Sequence, residues 1–492
     1  MLQPQSENAR GTVRYEAVDH TYLAQRKLRK SAGWVMLWAM GVGAVISGDY
    51  FGWNYGLAAG GFGGLLLATL VISIMYVCMV YCIAELSAAL PHAGGFYSFT
   101  RNAFGPLAGY FVGVTDTIEY VITPAVIVIG IGGYMQKLFP EVPVSMWWLA
   151  AYALFVGVNI RGVEITFKVG LVVTVLAIAV LVTFFVGALV QGAFSWQAVF
   201  NLTPEVGHST FLPKGWYGVF AALPYAIWFY LAIEQLPLAA EETVDVVRDM
   251  PRALIFGIMT LLALSLFTLV LNTGVNGGAA LIATSDAPLA EGFRAVYGSG
   301  ATATVLTLIA LTGLIASFHT IIYAYGRVLF ALSRAGYFPR PLSVTGSKTN
   351  TPHRALILGA LLGLCCAMAI DRFSKGVVGA ALLNMAVFGA VISYAFVMLA
   401  YLRLQRKRPN MPRPYRSPLG KAGAYVGVAL ALLSLAATFA VPDYRPGVLG
   451  VAVFVFAALL YFWLYSSKRL VAQAPEEEVA LIIEAEKELV HR

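Results

Sequence analysis

Twelve stretches of this chain are apolar over about the length of a bilayer crossing. They lie near residues 33–58, 62–90, 104–136, 145–160, 166–191, 216–236, 253–275, 300–333, 354–370, 376–402, 422–441 and 447–466. A helix crosses the hydrocarbon core with about 20 residues. A soluble core cannot absorb so many blocks of that size. Of the 492 residues, 59% are hydrophobic and 12% charged, whereas soluble domains carry about 25% charged residues. The sequence therefore predicts an all-α polytopic membrane protein with twelve transmembrane helices, here called spans 1 to 12.

The basic residues choose a topology. With the N-terminus inside, 27 of the 33 Lys and Arg residues fall on the inner side and 6 on the outer. That bias orients helical membrane proteins, so both termini are expected in the cytoplasm. The densest inner clusters are Arg26-Lys27-Leu28-Arg29-Lys30 and the run from Arg403 through Arg406, Lys407, Arg408, Arg413 and Arg416 to Lys421. Topology and contact with anionic membrane lipid account for them, which argues against a nucleic-acid partner. The N-terminal tail, residues 1–32, is polar and reads as no cleavable signal, so span 1 serves as the anchor. Cys78, Cys82, Cys365 and Cys366 all fall within spans and read as small core residues. No metal-ligand spacing and no nucleophile–base set stands out, so neither metal, cofactor nor enzyme activity is expected. The tail at 467–492 alternates apolar and acidic residues from Pro475 onward and predicts an exposed amphipathic helix.

Spans 1 and 6 are interrupted. Span 1 holds Gly41, Gly43 and Gly48 around an acid, Asp49. Glycine lowers helix propensity, and a charge at mid-membrane depth costs about 2.5–3.5 kcal/mol on insertion scales. Such a residue belongs where the backbone opens onto a protein cavity, and its sign suggests a cationic ligand. Span 6 carries Pro224, which removes a helical hydrogen bond. Interrupted helices five apart suggest two five-helix repeats of inverted topology with the ligand between the breaks. The repeats would cover 33–191 and 216–402, with 422–466 appended.

Several motifs recur in a telling order: Pro91-His92-Ala93-Gly94-Gly95-Phe96-Tyr97, Phe104-Gly105-Pro106, Ala240-Glu241-Glu242, Met250-Pro251-Arg252-Ala253, and Gly326-Arg327-Val328-Leu329-Phe330-Ala331-Leu332-Ser333-Arg334-Ala335-Gly336-Tyr337-Phe338-Pro339. Together, over roughly 33–465, they resemble the amino acid–polyamine–organocation permease superfamily. The resemblance implies a leucine-transporter-like fold and secondary transport of small amines or amino acids.

Against that family's pattern the chain departs at its presumed ligand site. The family's Gly-Ser/Thr-Gly triplet in span 1, whose bare amides hold a substrate carboxylate, is matched here by Ser47-Gly48-Asp49 followed by Tyr50-Phe51. An aspartate there repels a carboxylate. Span 3 adds Asp116 and Glu119, three apart on one helical face, and buried acids in a membrane are functional candidates. The resemblance puts Glu119, beside Tyr120, in the pocket and Asp116 near a gate. In span 6, Tyr225, Trp228 and Tyr230 offer aromatic faces that attract cations. Glu234 matches a family glutamate at the cytoplasmic gate. Glu241 and Glu242 are expected to pair with Arg248 or Arg252. In span 8, Ser317 and His319 are candidates for coupling, although a buried histidine is often only a satisfied core group.

The strings Ser47-Gly48-Asp49-Tyr50-Phe51-Gly52-Trp53-Asn54 and Glu119-Tyr120-Val121-Ile122-Thr123-Pro124-Ala125-Val126 are similar to the bacterial ethanolamine permeases. That resemblance implies an importer of a small cationic amine in the bacterial inner membrane. Glu119 or Asp49 would hold the ammonium, with Trp228 or Tyr230 above it and Ser47 near the hydroxyl. An amino-acid permease with an altered carboxylate site is the alternative. Symport with a proton or sodium, and entry on the membrane potential alone, are both open from the residues, as is oligomeric state.

Overall fold

The computed structural model of the chain describes residues 13–298, 303–373 and 377–477. Among the described residues, nine helices are long and apolar enough to cross a membrane. They correspond to span 2 (Tyr55–Ala89), span 3 (Pro106–Gln136), span 5 (Val163–Val190), span 7 (Val246–Asn272), span 8 (Leu311–Arg334), span 9 (His353–Arg372), span 10 (Met385–Lys407), span 11 (Gly420–Ala440) and span 12 (Arg445–Lys468). Val144–Ile160, at span 4, is apolar but only 17 residues long. Spans 1 and 6 are not continuous helices.

Span 1 breaks, but not at the glycines expected to break it. Gly41 and Gly43 lie inside the regular helix Trp34–Val45. Ile46 follows, then one helical turn, Ser47–Tyr50. The chain opens at Phe51, whose backbone is extended, and at Gly52, whose φ of +94° favours glycine. Asn54 holds the opened loop: its Oδ1 accepts from the Gly52 N–H at 3.1 Å and its amide donates to the carbonyls of Ile282 and Ser285. Gly61, at φ +70°, then bends the chain inside Tyr55–Ala89, so its first turns prolong span 1. The glycines of span 1 serve close approach instead. A Cβ at Gly48 would lie 1.9 Å from the Trp228 carbonyl oxygen, and one at Gly43 2.2 Å from Thr174 Oγ1.

Span 6 behaves similarly. Pro224 sits within the helix Gly215–Ile227, and the interruption comes later, over 228–232. Ala232 takes a left-handed φ of +83°, uncommon for a residue with a Cβ. Its N–H donates to Glu234 Oε1 at 3.0 Å. A 3₁₀ segment, Ile233–Glu242, completes the stretch. Span 7 ends in a π-helical turn, Thr268–Asn272.

Span 1 packs on spans 5, 7 and 8, span 6 on span 2, and span 3 on spans 8 and 10. Large apolar side chains point outward along spans 5, 9 and 12, such as Leu176, Leu361 and Phe456; a helix in lipid can expose them. At one end of the bundle, Tyr15–Glu16 and Leu470–Val471 form a short parallel β pair. Residues 475–477 are not helical, and Glu476 and Glu477 are buried, contrary to the exposed helix expected there; the rest of that expected helix, 478–492, lies outside the described residues. Cys78 and Cys82 are buried as expected, but Cys365 is exposed on span 9.

Candidate functional site

The short turn Ser47–Tyr50 buries Asp49 completely. Neither carboxylate oxygen of Asp49 has a hydrogen-bond partner. Thr268, in the π turn of span 7, lies beside it outside hydrogen-bond geometry. Tyr230 is close by, its hydroxyl held by Ser73 at 2.8 Å and Ser265 at 2.7 Å. Such π turns often occur at functional sites.

Glu119 is a second buried acid, and both its oxygens also lack a donor. Its carboxyl faces that of Glu234, which the break in span 6 delivers. Glu234 Oε1 accepts from Tyr394 at 2.7 Å as well as from Ala232, while its Oε2 has no partner. Asp116 and Tyr120 complete the cluster, with Asp116 next to Ser393 of span 10. Pro124, four residues after Tyr120, has no N–H to give that carbonyl.

The predicted residues thus fall into two polar clusters. One is Asp49 with Tyr230; the other is Glu119 with Asp116, Tyr120 and Glu234. Tyr76 bridges them, its ring 5.3 Å from both Tyr230 and Tyr394 and its hydroxyl donating to Tyr394 at 3.0 Å. Sequence reasoning missed Tyr76, Tyr394, Ser73, Ser265 and Thr268, because a lone tyrosine or hydroxyl in an apolar span carries no distinguishing signal.

The other candidates have structural neighbours. Gly48 admits the Trp228 backbone, and the Trp228 ring covers the opened loop against Phe51 at 6.4 Å and Gly52. Tyr225 lies in the helix before the break. It packs on Tyr55 at 6.4 Å and Tyr444 at 5.3 Å, because the helix reaches Ile227 before the break turns the register. Ser317 bridges the kink in span 1, accepting from the Ser47 N–H at 3.0 Å and donating to the Gly43 carbonyl at 2.9 Å. His319 lies apart from both clusters, between the Thr166 carbonyl (2.9 Å) and the Asn159 amide (3.4 Å). Its bonds are those of a satisfied core histidine joining spans 4, 5 and 8.

Beyond span 6, ion pairs close the end that carries most of the basic residues. Glu242 does not pair with Arg248 or Arg252. It takes a fully buried bidentate contact from Arg327, at 2.7 and 3.1 Å, and a short hydrogen bond from Tyr323. Glu241 pairs with Arg334, which also binds Glu476. Arg248 pairs at 3.8 Å with exposed Asp245, and Arg252 is exposed. Arg327 and Arg334 are seven apart, two helical turns along one face of span 8, a spacing already present in the motif from Gly326 to Pro339. Glu477 accepts from Arg101 at 2.8 Å, Tyr15 at 3.2 Å and Tyr337 at 3.3 Å. Burial pushes Glu476 up to about 7; Arg334 opposes this and Glu241 adds to it. Burial would raise Glu241 too, but the Arg334 guanidinium outweighs it and holds Glu241 below its ordinary value. Burial pushes His92 down to about 4.

With this geometry in place, the amino acid permease family model matches residues 33–465, most of the chain. The chain belongs to the amino acid permease family. It is thus a multi-pass membrane transporter of the amino acid–polyamine–organocation superfamily. An uncharacterised transporter of Rhizobium meliloti (strain 1021) is 27% identical over 452 residues, covering 89% of this chain and 92% of that protein. A branched-chain amino acid permease of Bacillus subtilis (strain 168) is 24% identical, covering 80% and 85%. A D-serine/D-alanine/glycine transporter of Escherichia coli (strain K12) is 25% identical, covering 89% and 94%.

Proposed function

We propose that this permease imports a small cationic amine without a carboxylate, with ethanolamine as the substrate, by alternating access across the bacterial cytoplasmic membrane. One observation carries the reading: Asp49 and Glu119 are buried, and none of their four carboxylate oxygens has a hydrogen-bond donor. Burying a charge is costly unless it is paired, and an ammonium supplies both the opposite charge and N–H donors. Glu119 holds the ammonium. Asp49 stands at the peptide groups where a carboxylate would otherwise dock and repels it. Tyr76 and Tyr230, between the two acids, supply aromatic faces for the cation.

The reading includes twelve spans in two inverted five-helix repeats with both termini in the cytoplasm. Reciprocal packing supports it: broken span 1 lies on span 7, and broken span 6 on span 2. Ser317, across the kink of span 1, and Glu234, facing Glu119, are the gating or coupling candidates; a proton or sodium would be the coupling ion. The second reading, an amino-acid permease with an altered carboxylate site, is favoured by the names of the B. subtilis and E. coli relatives. Uptake of radiolabelled ethanolamine into proteoliposomes, with amino acids as competitors, separates the two. Competition by small amines alone is expected; an amino acid that outcompetes ethanolamine overturns the amine reading.

A further inference from the structure

A cavity of about 540 Å³ opens on the surface where span 10 ends and span 11 begins. Its floor is apolar: Phe104, Leu399 and Leu402. Its rim is Arg403, Arg406 and Lys407, with Tyr425 as one wall, and among the described residues no acid lines it. The two arginines are held in place. Arg403 donates to the Ala103 carbonyl at 2.9 Å and lies 4.9 Å over the Phe104 ring, and Arg406 donates to the Tyr425 hydroxyl at 2.7 Å. Leu399, Phe104 and Tyr425 are nonetheless exposed, at 37%, 36% and 50%.

The cavity therefore straddles the boundary between the apolar helices and the basic loop that follows span 10. Greasy floor below and fixed cations above match one kind of molecule, an anionic phospholipid. Its acyl chain would lie on Leu399 and Leu402, and its phosphate would meet the three cations. Basic pockets between membrane helices on the cytoplasmic side are suited to such headgroups, and a tyrosine at that depth is an interfacial anchor. We propose that this cavity is a specific site for an anionic phospholipid of the inner leaflet. None of the lining residues belongs to the clusters around Asp49 and Glu119, and the proposal holds whatever the transporter carries.

Native mass spectrometry of the purified full-length protein, with equal dioleoylphosphatidylglycerol and dioleoylphosphatidylcholine, tests it. The wild type is expected to retain the anionic lipid in preference. Arg406→Gln with Lys407→Gln should cut that preference roughly thirtyfold, the scale expected for two cations at an anionic lipid. Arg416→Gln with Lys421→Gln, the same charge change outside the cavity, should leave it. Leu399→Trp, which fills the floor and keeps every charge, should also lower retention and carries the test if the arginine variant does not fold. Unchanged preference in the cavity variants, an equal loss in the control pair, or displacement of the lipid by inorganic phosphate alone would overturn the proposal.

Discussion

At the scale of the residue, Glu119 and Asp49 carry the proposed reading, and both stand out in the sequence. A carboxylate inside an apolar stretch stands out because of the cost of putting it there. Glu119→Gln is expected to abolish amine uptake while the protein still elutes as a folded species; wild-type uptake would refute the ammonium role. Asp49→Gly should weaken amine binding and admit amino acids, read as a changed competition profile. Gly48→Ala places a methyl group 1.9 Å from the Trp228 carbonyl oxygen. Overpacking costs about 1–3 kcal/mol and more when backbone must move, so its melting temperature should fall well below that of the Asp49 variant. The direction of Tyr225 depends on where span 6 stops being a helix, and Pro224 does not mark that point.

Among the elements, the two breaks set where spans 1 and 6 open, and span 8 supplies the arginines of the ion pairs beyond span 6. The interruptions were visible as glycines and a proline, yet they form beyond Gly48 and beyond Pro224. Helical propensity is a weak local preference that packing overrides. The partners of Glu241 and Glu242 were missed for a related reason: Arg248 and Arg252 are near in sequence, but span 8 brings Arg327 and Arg334 closer in space. Removing one member of a buried ion pair costs about 3–5 kcal/mol, so Arg327→Met should lower the melting temperature sharply, and adding Glu242→Gln should recover part of the loss. The docked tail should respond to pH. Glu476 has a pKa of about 7 when docked, against an ordinary value of 4.5. Between these values the docked state holds more protons than the free one. Docking is then firmest below about 4.5 and weakens as pH rises through 7. Hydrogen-exchange protection across residues 470–477, taken relative to the unstructured peptide at each pH, should fall over that rise, and Glu476→Gln should flatten the response.

For the whole molecule, the topology is the testable claim. In a variant with Cys78, Cys82, Cys365 and Cys366 replaced, His208→Cys should react with an impermeant thiol reagent added outside intact cells, and Lys348→Cys should not. Labelling of both from outside would reverse the charge-based orientation. The nine long apolar helices and the family of the chain were fully legible, because hydropathy and charge are sums over many residues and survive local error. So was the burial of acids within the spans, since they are conspicuous in any apolar sequence. The grouping of those acids was not. Glu119 meets Glu234 only because span 6 unwinds at 228–232, and Asp49 meets Thr268 only because span 7 ends in a π turn. Those contacts join residues more than a hundred positions apart, and local sequence encodes no such distance. The sequence by itself determined a helical membrane transporter with acids in its core. The tertiary structure alone decided which acids face one another, where the helices open, and which arginines answer Glu241, Glu242 and the buried tail, because each depends on the close packing of separate spans.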